Sequence, residues 1–291
     1  MPEPDTEPAV LRHLPFVVTP REMHKFVGAI SLGLPLVLLA IAAATPICFM
    51  QSISHYYYTP LGGDVLVGGL TVIAAIMIYF YQYKGDEGDE NSAYNLRNAR
   101  LAKLAGLFAL GVAFLPTSGA GCPFKQNAAR FLVPDTTLDT ERLPVGALSS
   151  DFWAIFVSDT RLSGLLGWLH YLSALGMFLI LGYFSYFVFT RVQTRAATET
   201  HSMAGELTPS KKLRNRIYRI AGIAIALSIL ALAVKFALAQ FILPTDRRSV
   251  FEAWWNGWHL TFLFEAVALM AFGVSWLVKA RILAVLEDQA A

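Results

Sequence analysis

The sequence predicts an all-α fold, a six-helix transmembrane bundle. Two observations carry that prediction. The first is composition: 55% of the 291 residues are hydrophobic and 15% are charged, with a mean hydropathy of +0.50, far more apolar than a soluble domain. The second is run length. Six stretches, Phe26–Phe49, Val65–Tyr83, Arg100–Thr117, Leu166–Thr190, Ile217–Leu243 and Trp258–Val278, are long enough to cross a hydrocarbon core of about 30 Å at ~1.5 Å per residue.

Taken in order, residues 1–22 form a tail in which Glu3, Asp5 and Glu7 rule out a signal peptide, so the first span reads as an uncleaved anchor. The membrane domain runs over residues 23–283. Its second span opens at Asp64 and is followed by a loop, Lys84 to Asn98, that starts acidic and closes basic. The third span is the least apolar, with Lys103 inside it, and it ends at Pro116. One long extracytoplasmic loop, Ser118 to Arg161, then connects helices 3 and 4; within it, Ser150 to Phe156 has the pattern of a short interfacial helix. Thr208-Pro209-Ser210 reads as a helix start before the fifth span. The Lys-Lys-Leu-Arg-Asn-Arg run that follows suits a topology determinant first, and an anionic lipid or nucleotide second. Short loops, Met50 to Asp64 and Pro244 to Gly257, complete the outer side, and residues 284–291 form the C-terminal tail.

Charge sets the orientation. Of the 23 Lys and Arg residues, 16 fall in the N- and C-terminal segments and the loops that share their side, six fall on the opposite side, and Lys235 lies inside a span. The positive-inside rule therefore places both termini in the cytoplasm of an inner-membrane protein. Trp153, Trp168, Trp254, Trp255 and Trp258 gather at the outer interface with Tyr56, Tyr57 and Tyr58, where amphipathic rings anchor to membrane lipids or line a rim for a lipid-like molecule. Both cysteines, Cys48 and Cys122, fall on that outer side; an oxidising compartment would let them pair, and two independent thiols are the alternative. Nothing in the charge distribution calls for nucleic acid, and oligomeric state leaves no mark.

Polar groups at a membrane face are where function is to be sought. Counting residues from the inner ends of their spans puts His170, His259 and Asp64 at one depth near the outer boundary, with Ser52, Ser54 and His55 on the neighbouring loop. His170 and His259 with either Asp64 or His55 would suit zinc, three protein ligands leaving a position for water. Such a water could attack an ester or amide, with Ser54, His55 and Asp64 assisting, which would make the chain a metal-dependent membrane hydrolase. Haem held axially by His170 and His259 is a second reading. Lys235 and Glu265 lie deeper, on consecutive antiparallel spans, where an isolated charge costs at least ~2.5–3.5 kcal/mol. They are expected to form an intramembrane ion pair, either fixing helix register or marking the path of a transporter or sensor.

The segments Ile53-Ser54-His55-Tyr56-Tyr57-Tyr58-Thr59, Leu115-Pro116-Thr117, His170-Tyr171-Leu172-Ser173-Ala174, Arg214-Asn215-Arg216-Ile217-Tyr218-Arg219 and Phe272-Gly273-Val274-Ser275-Trp276-Leu277-Val278-Lys279 span nearly the whole chain. In them the sequence resembles a group of bacterial six-span membrane proteins of the kind described as domain of unknown function 998. That resemblance implies a fold and an inner-membrane location and no activity. The gathering of Ser, Asp and His at one face is also similar to the site layout of the alkaline ceramidase and adiponectin receptor superfamily of zinc hydrolases. This chain departs from that layout in having six spans and no HxxxH in its last helix, which leaves zinc as an analogy.

Overall fold

The computed structural model describes residues 19–81, 92–115, 160–191 and 207–287. Its helices start where a capping residue or proline precedes an apolar run. Helix α1 (Pro20–Ala44) opens at Thr19, whose hydroxyl accepts the Glu22 N–H at 3.2 Å. Helix α2 (Pro60–Ala75) also has proline at its first position and continues into a π turn, Ile76–Phe80. Helix α3 covers Ser92–Phe114. Helix α4 (Thr160–Tyr183) continues into a π turn, Phe184–Val188. Helix α5 (Pro209–Ala237) starts where Thr-Pro-Ser predicts, with Thr208 accepting from the Lys211 N–H at 3.3 Å, and runs into a third π turn, Leu238–Ile242. Helices α6 (Thr245–Gly257) and α7 (Leu260–Lys279) follow.

Six of these helices form a closed ring in chain order: α1 on α2, α2 on α3, α3 on α4, α4 on α5, α5 on α7, and α7 back on α1. The core fills the ring, with Leu38, Leu66, Met77, Ile225, Leu269 and Phe272 all buried. Among the described residues, five helical stretches are long and apolar enough to cross a membrane: Pro20–Ala44, Leu61–Phe80, Gly167–Val188, Pro209–Ile242 and Leu260–Lys279. The third predicted span falls short because Arg97, Arg100 and Lys103 lie in its helix. Helix α3 nevertheless lies antiparallel along α4, tied by Tyr183 Oη to Asn98 at one end (3.3 Å) and by Leu115 O to His170 at the other (2.8 Å).

The ring closes where backbone meets backbone. Helices α1 and α7 run antiparallel, and a Cβ on Gly273 would lie 2.6 Å from Leu32 N and 2.8 Å from Gly28 O. A Cβ on Gly28 would meet Leu277 at 2.7 Å. Backbone therefore packs on backbone, the way small residues let apolar helices associate where the hydrophobic effect is weak.

Both short outer loops depart from expectation. Residues 245–257 form a helix because Val250, Phe251, Trp254 and Trp255 alternate with Asp246, Arg247, Arg248 and Glu252 at amphipathic spacing. The other loop turns inward. Its 3₁₀ turn, Ser54–Tyr58, follows Ile53 into one mouth of the ring, and Ile53, Tyr56, Tyr57 and Thr59 are buried. At the C-terminus the Ala284–Leu286 turn packs Leu286 into the core, so the ordered body extends past residue 283. The segment Ser150 to Phe156, and the long loop that holds it, lie outside the described residues, as does Cys122; Cys48 is disulfide-bonded.

Gly273→Ala should destabilise the protein by about 1–3 kcal/mol, because its Cβ meets backbone that cannot rotate away. Gly33→Ala, with nothing within 4 Å of its Cβ, should be neutral or slightly stabilising. Thermal melting of the two detergent-purified variants checks this; equal melting points would remove the close contact from the account.

Candidate functional site

A span residue, Glu265, sets the site. It projects from the second turn of α7 toward the inturned loop, which offers it three hydrogen bonds. The Ser52 hydroxyl donates to the carboxylate at 3.0 and 2.8 Å from its two oxygens, and the Ile53 N–H donates to Oε2 at 2.7 Å. Ser52 Oγ in turn accepts the Ser54 N–H at 3.2 Å. The loop can serve this way because its backbone is not helical there, which frees N–H groups that a helix would consume. Helix α7 returns the favour: the Phe262 N–H, an orphan of its first turn, donates to Gln51 O at 2.9 Å.

Ser54 begins a second chain of bonds. Its Oγ lies 3.0 Å from His170 Nε2, and His170 Nδ1 lies 2.8 Å from Leu115 O. A carbonyl can only accept, so Nδ1 carries the proton and Nε2 of the neutral ring accepts from the Ser54 hydroxyl. His170 is 3% exposed and Ser54 7% exposed. The two bond chains meet at the Ser52–Ser54 backbone, so Leu115, His170, Ser54, Ser52 and Glu265 form one connected polar system.

Its interior side is mostly apolar. Leu34, Leu66, Leu70, Met177 and Leu269 enclose, with Ser54 and Glu265, a cavity of about 20 Å³, room for one water and no larger guest.

The sequence-predicted residues divide. Ser54 and His170 are brought into contact, and His55 sits on the same 3₁₀ turn, half-buried, with its Nδ1 buried and lacking a hydrogen-bond partner. Burial first, then the neighbouring His170 and Lys235, pushes the His55 imidazole down to about 4. His259 belongs to the rim instead. It caps α7 with a left-handed φ of 50°, stacks on Phe49 at 4.3 Å and places Nδ1 3.3 Å from Met50 O. Asp64 lies on an exposed position of α2.

Equal depth thus did not mean convergence. Among the described residues no three His, Cys, Asp or Glu side chains are placed to hold one metal ion. The zinc set His170, His259 and Asp64 does not assemble, since both His170 nitrogens face protein partners, His259 turns to the loop and Asp64 faces outward. Haem would need a free nitrogen on each axial histidine, and both His170 nitrogens are taken by Leu115 O and Ser54 while His259 turns to Met50 O, so this arrangement does not fit haem either. Lys235 acts on Glu265 and on His55 through space. The direct ion pair expected with Glu265 is replaced by the loop donors, which reach the carboxylate first.

Sequence reasoning missed the two backbone groups, Ile53 N–H and Leu115 O, because main-chain partners leave no residue signature. The available signal was the deep carboxylate itself, which had to be satisfied by something nearby. Compared with family models, with curated proteins and with solved structures, the chain matches none of them.

With His55 at about 4 in the folded protein and the ordinary 6.5 in the unfolded chain, the unfolded state binds the extra proton between those values. Its contribution to stability is present above pH ~6.5 and is lost as pH falls toward ~4. Melting temperature should therefore fall with acid across that window, and His55→Phe should flatten the slope. An unchanged slope in the variant would show that the burial of His55 has no such consequence.

Proposed function

We propose that this chain is a multi-pass inner-membrane protein, both termini cytoplasmic, whose cluster at the extracytoplasmic end of the helix ring couples the protonation of Glu265 to the position of the 50–59 loop. Its class is that of a transporter or sensor. The observation that carries this reading is the carboxylate on an apolar helix satisfied by two donors, the Ser52 hydroxyl and the Ile53 N–H, from the segment between α1 and α2. An ionisable side chain at membrane depth is costly and marks function by default. Non-helical backbone at that depth is tolerated only where protein buries it or it lines a cavity.

The coupling is physical. Hydrogen bonds to a charged group contribute about 1.5–3 kcal/mol each, so the ionised carboxylate holds the loop in the ring. A proton on Glu265 removes the charge that these donors serve and loosens the loop. Movement of the loop would then break the Ser54–His170 bond and expose both side chains to the outer face.

A second reading rests on that Ser54–His170–Leu115 arrangement, in which a hydroxyl meets a histidine base held in one tautomer by a third group. It would make Ser54 a nucleophile toward a lipid-like ester, once the loop has lifted to admit an acyl chain that the 20 Å³ cavity excludes.

Infrared difference spectra of reconstituted protein between acid and alkaline buffer should show a carboxyl C=O band that is absent in Glu265→Gln. A band unaffected by that substitution would sink the coupling. Labelling of Ser54 by a fluorophosphonate, lost in His170→Ala, would turn the choice to acyl transfer. For orientation, a green fluorescent protein fused to the C-terminus should fluoresce while an alkaline phosphatase fusion stays inactive, and the opposite pair of results would invert the topology.

A further inference from the structure

The opposite end of the ring holds a larger cavity that neither bond chain reaches. It measures about 290 Å³ and is lined by Arg21 and His24 from α1, Arg191 after α4, Lys211 and Arg214 from α5, and Lys279 and Arg281 at the end of α7, with Phe189 and Tyr218 as its walls. Four separate elements thus deliver seven basic side chains to one concavity. No Asp or Glu is among the described residues that line it.

The lysines and arginines among them are positioned, not merely present. Lys211 and Arg214 are 4% and 3% exposed. Lys211 Nζ donates to Phe189 O at 3.1 Å and Arg191 O at 2.8 Å, Arg214 donates to Leu286 O, and Arg21 donates to Ala280 O at 3.0 Å and Arg281 O at 2.9 Å. Carbonyl partners fix where an ammonium or guanidinium sits while leaving its charge in place. Arg21 also pairs with Glu287 at 2.7 Å, at the exposed edge. Arg281 has a left-handed φ of 52°, a conformation costly for a residue with a Cβ and found where structure or function demands it. A topology determinant needs only that basic residues lie near the inner interface; it requires neither burial nor convergence.

We propose that this cavity binds a phosphate-bearing anion. Several guanidinium and ammonium groups around one concavity match the charge and multiple acceptors of a phosphate. The volume lies at the low end of small-molecule sites, enough for a phosphate and the first atoms it esterifies. The level, one α7 length of about 30 Å from Leu260, is that of a phospholipid headgroup, and a free phosphate offers the same chemistry.

The test uses the full chain in detergent and in nanodiscs, titrated with inorganic phosphate and with phosphatidic acid, with phosphatidylglycerol as a comparator of lower charge. Binding is read by thermal shift and native mass spectrometry. Phosphatidic acid alone stabilising the protein makes a lipid the source; inorganic phosphate alone makes it a soluble anion; both support the shared determinant. Lys279→Gln should weaken binding about tenfold or more. Arg281→Gly removes a charge at a backbone conformation that glycine adopts freely, so it should weaken binding without lowering the ligand-free melting temperature. Two results would overturn the proposal: no binding by any probe, or wild-type affinity in both variants. So would binding that appears only after Asp86, Glu87, Asp89 and Glu90 are neutralised, since the chain's own loop would then be the occupant.

Discussion

A carboxylate placed in an apolar ring must find its hydrogen bonds within the protein, and the arrangement of the outer half follows from how Glu265 does so. Three bonds from Ser52 and Ile53 draw the segment between α1 and α2 inward. The Ile53 N–H is spent on the Glu265 carboxylate, and only the short 3₁₀ turn Ser54–Tyr58 follows it. The Phe262 N–H, answering with a bond to Gln51 O, makes the contact reciprocal. Burial of Ile53, Tyr56, Tyr57 and Thr59 is the consequence, and the outer mouth is plugged by the chain that would otherwise have been a surface loop.

Helix α7 joins this plug to the rest of the molecule. Its Gly273 lies against the backbone of α1, its other face packs along α5, and its last residue, Lys279, lines the basic cavity. Loosening the plug acts first on the N-terminal turn of α7, where His259 already holds a left-handed backbone against Phe49 and Met50. Backbone contact with α1 leaves no slack at Gly273. The two polar ends therefore share one rigid element.

What the sequence made legible was what depends on local chemistry. Apolar runs located the helices, and Thr208-Pro209-Ser210 marked the start of α5 because a cap acts within one turn. Depth counting put His170 at the same end of the bundle as Ser54, and the two side chains bond. Partnership was not legible, because depth fixes height and leaves rotation about each helix axis free. His259 and Asp64 share that height with His170 and face elsewhere. Lys235 and Glu265 are complementary in charge and depth, yet a loop near in space and distant in sequence supplied the closer donors. In the same way the Lys-Lys-Leu-Arg-Asn-Arg run read as one stripe, although the fold separates it: Lys211 and Arg214 turn inward, four elements away from being a simple basic face, while Lys212 and Arg216 are exposed.

The distance between the two ends bears on transport against sensing. Glu265 and Lys279 are separated by about 21 Å along α7 at ~1.5 Å per residue, and the buried side chains between them include Leu269, Phe272 and Trp276. Ser275 is buried among these, and its hydroxyl is committed to Ala271 O of its own helix at 3.1 Å. No carboxylate, imidazole or amine is buried along this stretch of α7, so a proton taken up by Glu265 meets no relay down the helix. On the proposed reading, protonation of Glu265 loosens a loop at one end of α7 while a basic cavity lies at the other. The absence of a further ionisable side chain between Glu265 and Lys279 on that helix fits a sensor better than a proton-coupled carrier.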